Sequence, residues 1–143
     1  MASCGPRGPA FIEVCMKFEN MPDNKKSPEV YHKIENCGKI FSRLSRIIPE
    51  NLKRVTQTVH GDLSDCLVYI SEAGEEKIPK TKLEYLEKSE RILYYLHDRI
   101  DYLLMTKSIS IGQANEFVSE LNEAHTQTLK WLRAVRRDIP HTS

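Results

Sequence analysis

Glycine is scarce in this chain, at six of 143 residues. A β-sandwich or barrel spends glycine on many tight turns, so that class is disfavoured. Aromatic residues are also few, at 8%. No apolar run approaches the roughly 18 residues that signal a membrane span. The patch from Ala10 to Val14 is short and broken by Glu13, and no basic segment leading into a long apolar stretch marks a secretory signal. The four cysteines, Cys4, Cys15, Cys37 and Cys66, form no C-x-x-C pair, so neither a zinc site nor a redox motif is indicated. A dominant charge is missing too: 21 basic residues face 20 acidic ones. Near-neutrality still allows the two signs to be sorted onto different faces.

What the chain does have is helical periodicity. Residues 1–26 hold four of their own turn formers, Gly5, Pro6, Gly8 and Pro9, and later Pro22; they read as a flexible tail. Ser27 and Pro28 then suit the cap and first position of a helix. Tyr31, Ile34, Cys37, Phe41, Leu44 and Ile48 recur at spacings of three and four and fall on one stripe. Pro49 breaks that helix and can open the next. The second stripe is Leu52, Val55, Val59, Leu63, Cys66, Leu67 and Ile70, closing at Ala73-Gly74 with a residue favoured just past a helix end. Thr81-Lys82-Leu83-Glu84 fits a capping box. It opens a third stripe of Leu83, Leu86, Leu93, Leu96, Ile100, Leu103 and Leu104, widened by Ile92, Tyr94, Tyr95 and Tyr102. Ser110-Ile111-Gly112-Gln113 is a sharper capping box. It introduces Ala114, Phe117, Leu121, Ala124, Thr128, Trp131 (or Leu132) and Val135.

The expectation is an all-α chain with one domain over 27–139, a tail over 1–26 and a short end over 140–143. Helices are expected over about 28–48, 50–73, 80–107 and 111–138. Similar lengths and short connectors favour an antiparallel up-down-up-down four-helix bundle. Cys37 and Cys66 lie on the apolar stripes, where cysteine acts as a small buried hydrophobe. A reducing, cytoplasmic setting follows.

No catalytic motif appears: no phosphate-binding G-x-x-x-x-G-K-[ST] loop, no dinucleotide turn, no H-E-x-x-H helix and no nucleophile elbow. Metal and cofactor sites are equally unsupported. His32-Lys33-Ile34-Glu35 runs in the reverse order of a di-metal motif, off the apolar stripe. His97, Asp98 and Asp101 cluster within about one helical turn, an arrangement that fits a solvated face better than a metal site. The chain is therefore expected to be no enzyme and to hold no metal or cofactor.

The basic residues are more informative. Lys39, Arg43, Arg46, Lys53 and Arg54 flank the first helix turn, with only Glu50 among them. Lys130, Arg133, Arg136 and Arg137 crowd the end of the fourth helix. Both groups are candidate phosphate contacts, although cations near a helix C-terminus also complement its dipole. Tyr94, Tyr95, Tyr102 and Trp131 are candidates for an oligomer or partner interface.

The order of several segments resembles a known family. They are Ile48-Pro49 followed by a basic stretch, Ile70-Ser71-Glu72-Ala73, Lys107-Ser108-Ile109-Ser110, Gln113 early in the last helix, and Trp131-Leu132-Arg133-Ala134. Together they are similar to the accessory variability determinant proteins of diversity-generating retroelements. That family sits within the small bacterial four-helix proteins that include the ribosomal-RNA intervening-sequence proteins. The resemblance implies a homopentamer that binds a reverse transcriptase and its template RNA and supports mutagenic reverse transcription without catalysing it. The sequence departs from the family in its near-neutral charge, in His97 and Asp101 where arginines are usual, and in the segment Ala124–Lys130 before Trp131. The alternative expectation is a self-associating helical interaction module that binds no nucleic acid.

Overall fold

A computed structural model describes residues 29–140. The expected cap at Ser27-Pro28, the tail over 1–26, Cys4, Cys15 and His141 lie outside the described residues.

The described residues form four α-helices and no strand. Helix α1 spans Glu29–Leu44, α2 Lys53–Glu75, α3 Pro79–Met105 and α4 Ile111–Asp138. A single 3-10 turn, Glu50–Leu52, leads into α2. Each helix packs on its neighbours in sequence, and α1 also packs on α4. The arrangement is that of a four-helix bundle, and none of its helices is long and apolar enough to cross a membrane.

The core is assembled from the four stripes. Ile34, Cys37 and Phe41 of α1 are fully buried, as are Val59, Cys66 and Ile70 of α2. So are Leu86, Leu93, Leu96 and Leu103 of α3, and Phe117, Leu121 and Ala124 of α4. Removing each large side chain from water contributes about 1.5–3 kcal/mol. Phe41 meets Phe117 edge to face at 5.9 Å between ring centroids, joining α1 to α4. On the other side Phe41 meets the buried His60 of α2 at 5.1 Å. Leu132, not Trp131, occupies the buried position on α4; Trp131 packs half-buried at the core's edge.

The helix ends correct three expectations. α1 stops at Leu44, four residues early, and Ile48 reaches the core from the following turn. α2 runs through Gly74 to Glu75. α3 starts at Pro79, so Thr81 lies inside the helix and is no cap. Proline has no N–H to lose at a first helical position, which makes Pro79 the better start. Glu76 closes the connector by accepting from the backbone N–H of Lys77 and Ile78, both at 3.1 Å.

The α3–α4 connection is the most sharply defined. Lys107 takes a left-handed backbone (φ 60°) just past α3. The Ser108 N–H then donates to Leu103 O at 2.9 Å and the Lys107 N–H to Leu104 O at 3.0 Å, the paired bonds of a Schellman ending. Ser110 caps α4: its hydroxyl accepts from Gln113 N at 3.1 Å, and Gln113 Oε1 accepts from Ser110 N at 2.8 Å.

Candidate nucleic-acid interface

The last turns of α4 carry Lys130, Arg133, Arg136 and Arg137, and these four side chains line one surface depression. Spacings of three and four put Lys130, Arg133 and Arg137 on one side of the helix. Those three are exposed and make no ion pair among the described residues. Arg136 lines the same depression but pairs with Glu87 of α3 at 3.3 Å. The inward positions between them, Leu132 and Val135, are buried. The core therefore fixes the helix and turns the cations outward. The negative end of the helix dipole lies beside them, which favours their charge.

The first basic group is arranged differently. Arg43 is held by Glu116 of α4 at 3.0 Å, and Lys53 by Glu50 at 3.3 Å. Lys39 and Arg43 share a groove with Glu116 and Glu120, so acidic side chains interrupt the basic surface there. Further along the same seam, Lys33 Nζ lies 2.7 Å from Glu123 and 3.9 Å from Glu120. The Glu123 bond and the neighbouring carboxylates raise its pKa. Arg46 and Arg54 are exposed without an ion pair among the described residues. Arg54 lines a separate cleft between α2 and α3 with Val55, Thr58, Asp98, Arg99 and Tyr102, and Arg99 is tied there to Asp62 at 3.3 Å. Thus five cations adjacent in sequence are split between the α1–α4 seam, the connecting turn and the α2–α3 cleft.

The four candidate interface aromatics also divide. Tyr94, Tyr95 and Tyr102 are exposed on α3, and Tyr94 and Tyr95 meet edge to face at 6.1 Å. Trp131 is half-buried.

One grouping was not apparent from sequence. His97 of α3 and His125 of α4 lie with ring centroids 5.7 Å apart, and His125 Nε2 is 2.8 Å from Glu90 Oε2. Burial, together with the second imidazole, lowers the His97 pKa below its ordinary 6.5. The i, i+7 step from Glu90 to His97 on the α3 side is a weak signal, since its partner comes from another helix. The Asp98 and Asp101 side chains stay exposed and do not join it. Glu29 and His32 have Glu-x-x-His spacing, but His32 Nδ1 instead lies 3.4 Å from Glu35. Among the described residues no cluster of histidine, cysteine or carboxylate side chains could hold a metal ion.

The fold and this surface define a class: a four-helix protein whose α4 ends in three exposed cations, Lys130, Arg133 and Arg137, without an ion pair among the described residues. No family model, curated protein or solved structure matches the chain.

Proposed function

We propose that this chain is a non-catalytic RNA-binding accessory protein of a diversity-generating retroelement, one that docks on the element's reverse transcriptase. The observation that carries the reading is the trio Lys130, Arg133 and Arg137, exposed on one face with no acidic partner among the described residues. Phosphate is the ligand such a surface attracts, and RNA offers it in a row. The segment order from Ile48-Pro49 to Trp131-Leu132-Arg133-Ala134 supplies the retroelement context. The cytoplasmic setting belongs to the same reading and is supported by the buried free thiols of Cys37 and Cys66.

The finer topology we infer is an antiparallel up-down-up-down bundle. It is supported by partner numbers that run in opposite directions along paired helices. Lys33 meets Glu123 while Arg43 meets Glu116; Asp62 meets Arg99 while Tyr69 stacks on Tyr85.

The test is fluorescence anisotropy with a structured RNA across a salt series. Wild type should bind at low salt, and its affinity should fall steeply as salt rises. Arg133→Glu with Arg137→Glu should abolish tight binding. Milder Ala variants should lower the log–log salt slope by about 0.7–0.9 per lost phosphate contact. No binding at 50 mM salt, together with no reverse transcriptase co-purifying, would overturn the reading.

A second reading is a self-associating interaction module. It is favoured by the ion pairing of Arg43 and Lys53 and by the exposed tyrosines of α3. Under it, the α4 charge reversals leave partner binding unchanged. The resemblance implies a ring of five copies.

A further inference from the structure

The cleft between α2 and α3 has a volume of about 410 Å³, within the roughly 300–1,000 Å³ of small-ligand sites. Helix α2 gives it Arg54, Val55 and Thr58, and α3 gives it Asp98, Arg99 and Tyr102. Steps of four residues make Arg54 and Thr58 neighbours on one wall, and Asp98 and Tyr102 neighbours on the other. Val55 packs half-buried against the core and supplies an apolar surface. Tyr102 is 45% exposed.

The charges here are left unmatched. Arg99 is neutralised by Asp62 at 3.3 Å. Arg54 and Asp98 line the same cleft, yet neither makes an ion pair among the described residues. The Thr58 hydroxyl already donates to Arg54 O at 2.9 Å. The cleft therefore presents one unpaired cation, one unpaired carboxylate and an exposed aromatic ring beside an apolar wall. An occupant that satisfies all of them carries an anion, adjacent hydrogen-bond donors and a flat ring.

We propose that this cleft binds a guanine nucleotide from an unpaired stretch of RNA, with the base stacked on Tyr102, its pairing edge on Asp98 and its phosphate on Arg54. A carboxylate only accepts. Guanine is the RNA base whose pairing edge carries two adjacent donors, N1–H and the N2 amino group. Adenine and cytosine each set an acceptor beside their amino group, and the N3–H of uracil lies between two carbonyls. A peptide arginine offers a similar fork of donors, but its charge is opposed by Arg54, whereas guanine is neutral. Stacking on an aromatic side chain and hydrogen bonding on the pairing edge is how single-stranded bases are read. The proposal rests on the RNA-binding reading and adds base choice to the α4 cations, whose phosphate contacts carry no sequence information.

Fluorescence anisotropy at low salt tests it, with short uridine strands bearing one central guanosine or one central adenosine. Wild type should bind the guanosine strand roughly tenfold or more tightly than the other. Asp98→Asn should abolish that preference, since the amide sets one donor where guanine needs an acceptor. The same variant should favour xanthosine, in which a carbonyl replaces the amino group. Tyr102→Phe should keep the preference and Tyr102→Ala should weaken both strands by about tenfold. Arg133→Glu with Arg137→Glu should weaken both strands and leave their ratio unchanged. Far-UV circular dichroism checks that these exposed substitutions leave the helices intact. NMR with guanosine monophosphate separates the two readings, through the amide signals of Asp98 and Tyr102. Strand binding without guanosine preference, or a preference that survives Asp98→Asn, overturns the cleft and leaves the RNA reading standing. Shifts of those signals without any strand binding support guanine recognition, with the free nucleotide as its source, and overturn the RNA reading. Neither shifts nor strand binding overturns both. Displacement of the strand by an arginine peptide at the concentration of the monophosphate would make the occupant a protein and also overturn the proposal.

Discussion

His97 and His125 bring two imidazoles together where α3 meets α4. The groups facing His97 are His125 from α4, which disfavours its charge, and Asp101 and Asp98 from its own helix, which favour it less strongly than burial and His125 oppose it. The folded-state pKa therefore lies below the unfolded one. Above the ordinary 6.5 both states are neutral at this position, and its contribution to stability is complete. As pH falls through 6.5 the unfolded chain takes the proton first, so stability is lost. NMR titration should show the His97 ring titrating below 6.5, and urea midpoints should fall from pH 7.5 to pH 5.5. His97→Gln should flatten that slope. An unchanged slope would assign the pH dependence to other groups.

At the scale of elements, the two Ser/Thr signals had different fates. Ser110 caps α4 with both bonds of the capping box in place, whereas Thr81 lies within the first turn of α3 behind Pro79. Ser110→Ala should cost about 1 kcal/mol, and Thr81→Ala should stay within about 0.5 kcal/mol. Paired urea melts check the contrast; equal losses would contradict these start sites. Both motifs fit the same pattern in sequence. What separates them is competition: Pro79 and the Glu76 carboxylate offer α3 an earlier start, and nothing comparable precedes Ser110. The same reasoning explains Gly74, which stays helical because α2 continues to Glu75 before Glu76 turns extended.

The whole bundle governs the thiols. Cys37 and Cys66 are buried between helices, and burial pushes the Cys37 thiol up to about 12. Burial also raises the Cys66 thiol, which lies 3.8 Å from Ser89 O across the α2–α3 contact. Thiolate, the reactive form, is therefore suppressed as well as shielded. In a Cys4→Ser, Cys15→Ser chain, neither thiol should react with a disulfide reagent under native conditions. Both should react together as urea unfolds the protein. Rapid native labelling of either would show that its helix pair opens locally.

The sequence by itself determined the four stripes and the inward position of nearly all their members, because three-four spacing depends only on helix geometry. It also determined the Ser110 cap and the exposed cations at the end of α4, where Leu132 and Val135 alternate with Arg133 and Arg137 along one turn. Only the tertiary structure decided which cations remain unneutralised. Glu116 and Glu87 are distant in sequence from Arg43 and Arg136 and meet them across helix contacts. It likewise decided that His97 faces His125, and that Tyr94, Tyr95 and Tyr102 stay in the open. A helix's pattern specifies which face is apolar, while the neighbours that pack against it decide how much of a broad apolar face is covered.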